Sequence, residues 1–263
     1  MLPKDSEDPG VWYAPEIKQA GYDYIELPIG QVVGQSQAQF EEMTAYLRDV
    51  GLPVYACNNF FTREIQLVGP AVDKPRVRDF YQKALAWAQQ LGCRHVVFGS
   101  PWSKYCPEGF SRENAFDQMS QWCVEIGDEA KKRDIVIALE PNNRQETNLI
   151  NTFADVVALA KSADHPNIRC LQDYYHLKAE QDTVDSLLRD GKEYLVHSHF
   201  ARFEKRGFPR DWAEDPYYPI YFDALKKLHY DGGISMEGFP QNGESFAAEA
   251  AATCRFLKEA VGR

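Results

Sequence analysis

Short apolar runs and longer amphipathic stretches alternate along most of the chain. Tyr22-Asp-Tyr-Ile-Glu-Leu27 is the first run with the character of a strand, and Pro53-Val-Tyr-Ala56 is the next. Between them Ser36 stands where a helix cap belongs, opening a helix through Leu47 that Gly51 closes. From Lys74 to Leu91 the apolar positions Val77, Phe80, Tyr81, Ala84, Leu85 and Ala88 fall on one helical face. Arg94-His-Val-Val-Phe98 follows as a strand, and Ser111 caps a long helix carrying Phe116, Met119, Cys123, Ile126 and Ala130 on one stripe. Strands at 135–140, 168–173, 194–199 and 233–237 then alternate with helices near 152–163, 177–190, 220–229 and 244–261. Alternation of this kind, with crossovers of helical length, predicts parallel strands.

The strand from Ile135 to Glu140 divides into two unequal faces. Ile135, Ile137 and Leu139 share one, while the smaller Val136 and Ala138 share the other with Glu140. Small residues ending in a charge are what the inward face of a barrel requires; Ser235 with Glu237, and His197 with His199, repeat the arrangement. The pattern predicts a single (β/α)8 TIM-barrel domain over residues 1–263. Seven good strands can be counted, however. Met1 to Gly10 holds Pro3, Pro9 and four charges, so the first strand is missing or irregular. An open barrel exposes two strand edges, which points to a homo-oligomer or a partner subunit covering them.

Four of the strands end on Glu140, Asp173, His199 and Glu237. A strand finishes on such a residue when something at that edge solvates or binds it. Three carboxylates and one imidazole on a common rim suit a single divalent ion, Mn2+ first, with Co2+, Mg2+ and Zn2+ as alternatives. Composition narrows the field. A formal net charge of −10 disfavours nucleic acid, and no apolar run is long enough to span a bilayer. The six cysteines are scattered without a CxxC pair, which fits reduced thiols in a cytoplasmic protein.

The segment Leu139-Glu-Pro-Asn-Asn-Arg-Gln-Glu-Thr-Asn148, with Asp173-Tyr-Tyr-His176, His199 and Met236-Glu237, resembles the xylose isomerase-like TIM-barrel superfamily. Within it the chain is most similar to the ketose 3-epimerases, the D-tagatose/D-psicose group, from about residue 21 to the C-terminus. The resemblance implies that Glu140, Asp173, His199 and Glu237 hold one metal ion. It also implies that Glu146 and His176 contact the O1–O2 end of a sugar. The family's arginine after the histidine ligand has no unambiguous counterpart: Lys205 occupies the nearest position, flanked by Arg202 and Arg206. Arg206 is the candidate for substrate contact.

The chemistry can also be argued from the residues. Taking a proton from a carbon beside a ketone builds an enediolate, whose charge a divalent ion stabilises as a Lewis acid. Epimerisation needs a base on each face of that carbon, and Glu140 and Glu237 stand on well-separated strands. Isomerisation between adjacent carbons, or a lyase reaction of the inosose dehydratase or C-glycoside-cleaving kind, can use the same residues. A non-catalytic carbohydrate-binding subunit and a DNA-repair nuclease of the endonuclease IV type are further readings. The nuclease needs early histidines, and only His95 precedes residue 165. Trp102 is a candidate sugar-stacking wall, as are Phe60, Phe61, Tyr105, Trp212 and Phe239, with packing as the alternative. His197 reads equally as a core histidine or a support for His199, Asn143 and Arg144 as supports of their loop, and Glu26 as a residue at the margin of the pocket.

Overall fold

The computed structural model describes residues 8–240 and 245–262. Among these, seven parallel strands form one sheet whose spatial order equals chain order. They are β1 (Ile25–Pro28), β2 (Val54–Asn58), β3 (His95–Phe98), β4 (Val136–Leu139), β5 (Ile168–Asp173), β6 (Leu195–Phe200) and β7 (Gly233–Met236). The helices between them are α1 (Ala14–Ala20), α2 (Ile29–Val33), α3 (Gln37–Val50), α4 (Lys74–Gln90), α5 (Arg112–Lys131), α6 (Phe153–Ala163), α7 (Tyr174–Ala179), α8 (Asp185–Tyr194), α9 (Tyr218–Lys227) and α10 (Phe246–Ala260). This is a TIM barrel with seven strands among the described residues, and every anticipated strand is present.

The caps follow local chemistry. Ser36 accepts from the Gln39 amide while the Gln39 side chain returns to Ser36 N, and Thr152 with Asp155 does the same for α6. Ser111 caps α5 as expected. The helix anticipated over 177–190 is two helices, because Gln181 takes a left-handed φ of 54° and ends the first. Short α2 was not anticipated: after Pro28 the segment Ile29–Val33 is almost wholly buried, so it lacks an amphipathic period.

Val97, Ala138 and Leu171 form a small inner cluster, confirming the inward face read from the Ile135–Glu140 alternation. The larger core lies outside the sheet, between strands and helices. All six cysteines are buried and free.

β1 and β7 share no backbone ladder. The reading of Met1–Gly10 as strandless lies partly outside the described residues; Asp8–Gly10 form no strand. Outside this seam α1 packs against α10, and a cavity of about 230 Å³ between strands and helices is lined by Ile17, Ile234, Phe246 and Leu257. Inside it, side chains bridge the gap: Tyr24 Oη lies 3.0 Å from Ser235 Oγ, and Ser235 Oγ donates to Glu26. The chain's own helices and polar side chains thus bridge part of the gap between the two edges.

Candidate metal centre

Glu140 and Glu237 stand one residue beyond β4 and β7, with amides donating to Phe98 O and Phe200 O, so the strand ladder still aims them. Asp173 closes β5 and His199 lies within β6. One ligand atom from each of these four residues falls within 4.8 Å of the others. Asp173 divides its carboxylate: Oδ1 caps α7 through Tyr175 N at 2.7 Å, leaving Oδ2 to the cluster. Gly99 follows β3 and leaves room for the Glu140 carboxylate: a Cβ there would lie 1.7 Å from Glu140 Oε2 and would force that side chain to move.

The imidazole of His199 is fully buried between two sets of carboxylates. Nδ1 is 2.9 Å from Glu140 Oε1 and 3.0 Å from Glu237 Oε2, while Nε2 is 2.9 Å from Glu26 Oε1. Glu26 also reaches His197 Nε2 at 2.9 Å through its other oxygen. Burial opposes ionisation of Glu26, but His199 and His197 hold its carboxyl well below the usual range. An ionised Glu26 only accepts, so each imidazole presents Nε2–H to it. His199 Nδ1 therefore aims toward Glu140 and Glu237 either a second proton or a lone pair. A lone pair facing two carboxylates needs a cation between them, so the donor set fits a divalent ion. Despite burial, Glu26, Glu237 and Glu140 raise the His199 pKa well above its ordinary value; the metal would replace that proton. The second group of possible ligands, Glu26 with His197 and His199, is already joined by these hydrogen bonds and supports the first.

Arg206 of the basic loop faces the cluster. Its Nη2 donates to Glu237 Oε2 at 2.6 Å and to Asp173 Oδ2 at 3.3 Å, and its guanidinium lies 4.8 Å over the Tyr175 ring. Lys205 and Arg206 both adopt left-handed φ, 57° and 49°, which turns the loop back onto the cluster at a cost in backbone strain. Burial raises the Asp173 pKa to about 7 although Arg206 pulls it down; for Glu237, burial is outweighed by Arg206 and His199, which hold it well below normal.

His176 is buried beside the cluster. Its Nδ1 accepts from Asn143 N and lies 2.9 Å from Asn143 Nδ2, so Nε2 carries the proton; Nε2 lies 3.2 Å from the Asn142 side-chain amide and faces Asp173 Oδ2 at 3.5 Å and Glu146 Oε2 at 4.0 Å. Burial keeps this imidazole neutral. Asn143 also holds Glu146 at 3.0 Å, whereas Arg144 pairs with Glu180 away from the cluster. Trp102 is half-buried, with its indole N–H on Phe61 O and Arg63 over its ring. Phe60 and Phe61 pack on Phe98, and Trp212 packs on Phe222 and Phe256; Tyr105 and Phe239 are exposed.

Glu26, anticipated at the margin of the pocket, has a larger part than the reading from sequence assigned to it, and Lys104 escaped that reading. Glu26 is central to the support of His199. Lys104, 2% exposed, donates to Glu140 O at 2.5 Å and Phe98 O at 3.4 Å. Burial pushes its ammonium down to about 8 against the upward pull of Glu140 and Glu146.

A family model described as "Xylose isomerase-like TIM barrel" matches residues 15–260. The chain belongs to this family. It is 25% identical to the D-psicose 3-epimerase of Ruminiclostridium cellulolyticum over 242 residues, 88% of this chain and 79% of that one. It is 26% identical over 231 residues to the 3-dehydro-D-guloside 4-epimerase of Escherichia coli, 84% of each. The solved structure of D-psicose 3-epimerase with D-tagatose from Clostridium cellulolyticum H10 superposes with a TM-score of 0.81 at 20% identity, over 95% of this chain and 93% of that chain. That of the E. coli 3-keto-D-glucoside 4-epimerase gives 0.80 at 20% identity, over 98% and 96%. These likenesses agree with the fold. Among the described residues no helix is long and apolar enough to cross a membrane.

Proposed function

We propose that this protein is a metal-dependent epimerase of a ketose or keto-sugar derivative. The observation that carries the proposal is the placement of Glu140 and Glu237, from non-adjacent strands, with one oxygen each beside the same nitrogen of His199. The relatives named as ketose 3-epimerases and as a 4-epimerase of 3-dehydro-D-guloside support the reaction class. A related structure, described as IOLI protein with a bound zinc atom, supports the ion.

Glu140, Asp173, His199 and Glu237 would hold the ion. When bound, a divalent cation such as Mn2+ supplies a Lewis acid for negative charge growing on the substrate oxygen beside the deprotonated carbon. Glu140 and Glu237 then serve as the acid–base pair, one taking the proton from one face and the other returning a proton to the opposite face. His176 presents Nε2–H to a sugar oxygen, Glu146 accepts from a hydroxyl, and Arg206 swings from its pairing with Glu237 and Asp173 toward substrate.

The test is a panel of ketoses in D2O with Mn2+ or Co2+. Deuterium should enter at the carbon beside the carbonyl with no other change in product mass; loss of water or of an aglycone would favour a lyase instead. In Glu146→Gln and His176→Ala, metal occupancy should survive while turnover falls by about two orders of magnitude. Full activity in both variants would remove the proposed binding mode.

A further inference from the structure

The loop that follows β3 makes a socket for Glu140. Gly99 opens it, leaving room for the Glu140 carboxylate where a Cβ would otherwise stand. The loop then turns under the strand ends and is pinned at each step. Phe61 N donates to Ser100 Oγ at 2.9 Å, Ser103 Oγ donates to Ser100 O at 2.8 Å, and Leu67 N donates to Ser103 O at 2.9 Å. Trp102 adds its indole N–H on Phe61 O at 3.2 Å. The turn delivers Lys104 into the protein, with Nζ against the main-chain oxygens of Phe98 and Glu140.

A fully buried ammonium is expensive to desolvate, and two carbonyl groups are modest compensation. The surrounding charge supplies the missing reason. Glu140, Asp173 and Glu237 crowd one small volume with Glu146 near by, and Lys104 Nζ is anchored on the main-chain oxygen of Glu140 itself. Arg206 faces the cluster from the loop after β6, on the solvent side, where it is partly exposed. Lys104 reaches the main-chain oxygen of Glu140 from the loop after β3 and is shielded from solvent.

We propose that Lys104 is a positioning residue of the metal centre: it clamps the end of β4, and thereby the aim of Glu140, and contributes a fixed positive charge that tempers the pull of the carboxylates on the bound cation. The catalytic part of this inference rests on the proposed epimerase reading; the metal-binding part does not. A lysine that served only to hold the fold would weaken metal binding when removed. A lysine that acts as a second cation beside the site would have the opposite effect, because its removal leaves the carboxylates more attractive to a divalent ion.

The experiment compares Lys104→Met and Lys104→Arg with the wild type, titrating Mn2+ into metal-free protein by calorimetry and measuring kcat and KM on the ketose that the wild type turns over. In Lys104→Met the Kd for Mn2+ should fall by about tenfold. Meanwhile kcat should drop by about a hundredfold, with KM moving less than about threefold, as loss of aim without loss of substrate binding requires. Lys104→Arg, which keeps charge and donors, should return both quantities toward wild type. Unchanged or weaker Mn2+ binding in Lys104→Met overturns the proposal, as does a wild-type kcat. If Lys104→Met does not fold, Lys104→Gln keeps a donor and removes the charge: tighter Mn2+ binding supports the proposal, and equal or weaker binding overturns it. If no ketose is turned over by the wild type, the epimerase reading fails while the Mn2+ titrations still decide the role of the charge.

Discussion

A carboxylate that accepts from two imidazoles fixes the tautomer of both. Glu26 does this for His197 and His199 with one oxygen each, and so decides which nitrogen of His199 faces Glu140 and Glu237. Replacing Glu26 by Gln leaves one oxygen to accept and turns an amide N–H toward the other imidazole, so one of the two contacts becomes repulsive. Mn2+ affinity of Glu26→Gln should fall by about 10–100-fold, the usual cost of losing the partner behind a metal-bound histidine. Calorimetric titration showing wild-type affinity would refute that role. The four residues at strand ends were legible because each breaks an apolar run with a charge or an imidazole. Glu26 could be placed only at the margin of the pocket, since its partners are separated from it by 171 and 173 residues. Lys104 was hidden: a lysine in a loop reads as solvated, and only the fold shows that the turn carries it inward.

At the scale of elements, a strand end is aimed by its neighbours as much as by its own sequence. Gly99 looks like ordinary punctuation after β3, yet its conformation is unremarkable and its purpose lies on the adjacent strand, where Glu140 Oε2 fills the space of a side chain. In Gly99→Ala the clash falls on the far end of a flexible side chain, so the fold can absorb it and the metal centre cannot. The metal-free variant should unfold within a few degrees of wild type, while turnover falls by about a hundredfold because the carboxylate is displaced by roughly an ångström or more. Thermal scans and kinetics on one preparation check both halves; equal turnover would show that Glu140 need not sit against β3. The same dependence on neighbours explains the misread boundaries. Periodicity carries a helix through residues 177–190, but it is blind to the left-handed turn at Gln181, and the buried segment Ile29–Val33 has no polar face to give it a period.

For the whole molecule, the seam between β1 and β7 and the metal centre share the same side chains. Asn58 Nδ2 donates to Glu237 Oε1 at 2.9 Å, and Glu26 joins Ser235 on β7 to His199 on β6. The gap between β1 and β7 among the described residues was not legible as a set of side-chain bridges, because no local pattern encodes contacts across the closure of a barrel. One consequence concerns pH. Burial pushes Asp173 up to about 7, and carboxylates raise His199 well above its ordinary value, so at these two groups the folded, metal-free protein binds more protons than the unfolded chain. The His199 contribution is complete below its unfolded pKa of about 6.5 and is lost as pH climbs through the raised value. The Asp173 penalty is absent below about pH 4 and grows until about pH 7. Glu26 and Glu237, held low, work in the other direction only below about pH 4.5. Burial lowers His176 and brings His95 down to about 4, so below about pH 6.5 these two bind fewer protons folded than unfolded and offset Asp173. The metal-free protein should therefore lose stability between about pH 7 and about pH 8. A divalent ion takes the place of those protons, so its affinity should rise across the same window and offset the loss. Scanning calorimetry with and without saturating Mn2+ should show the metal-free Tm falling with pH and the gap between the two curves widening, each 1 kcal/mol appearing as about 2–4 °C in a chain of this length. A gap that stays constant or narrows would mean that the ion does not bind where His199 and Asp173 titrate.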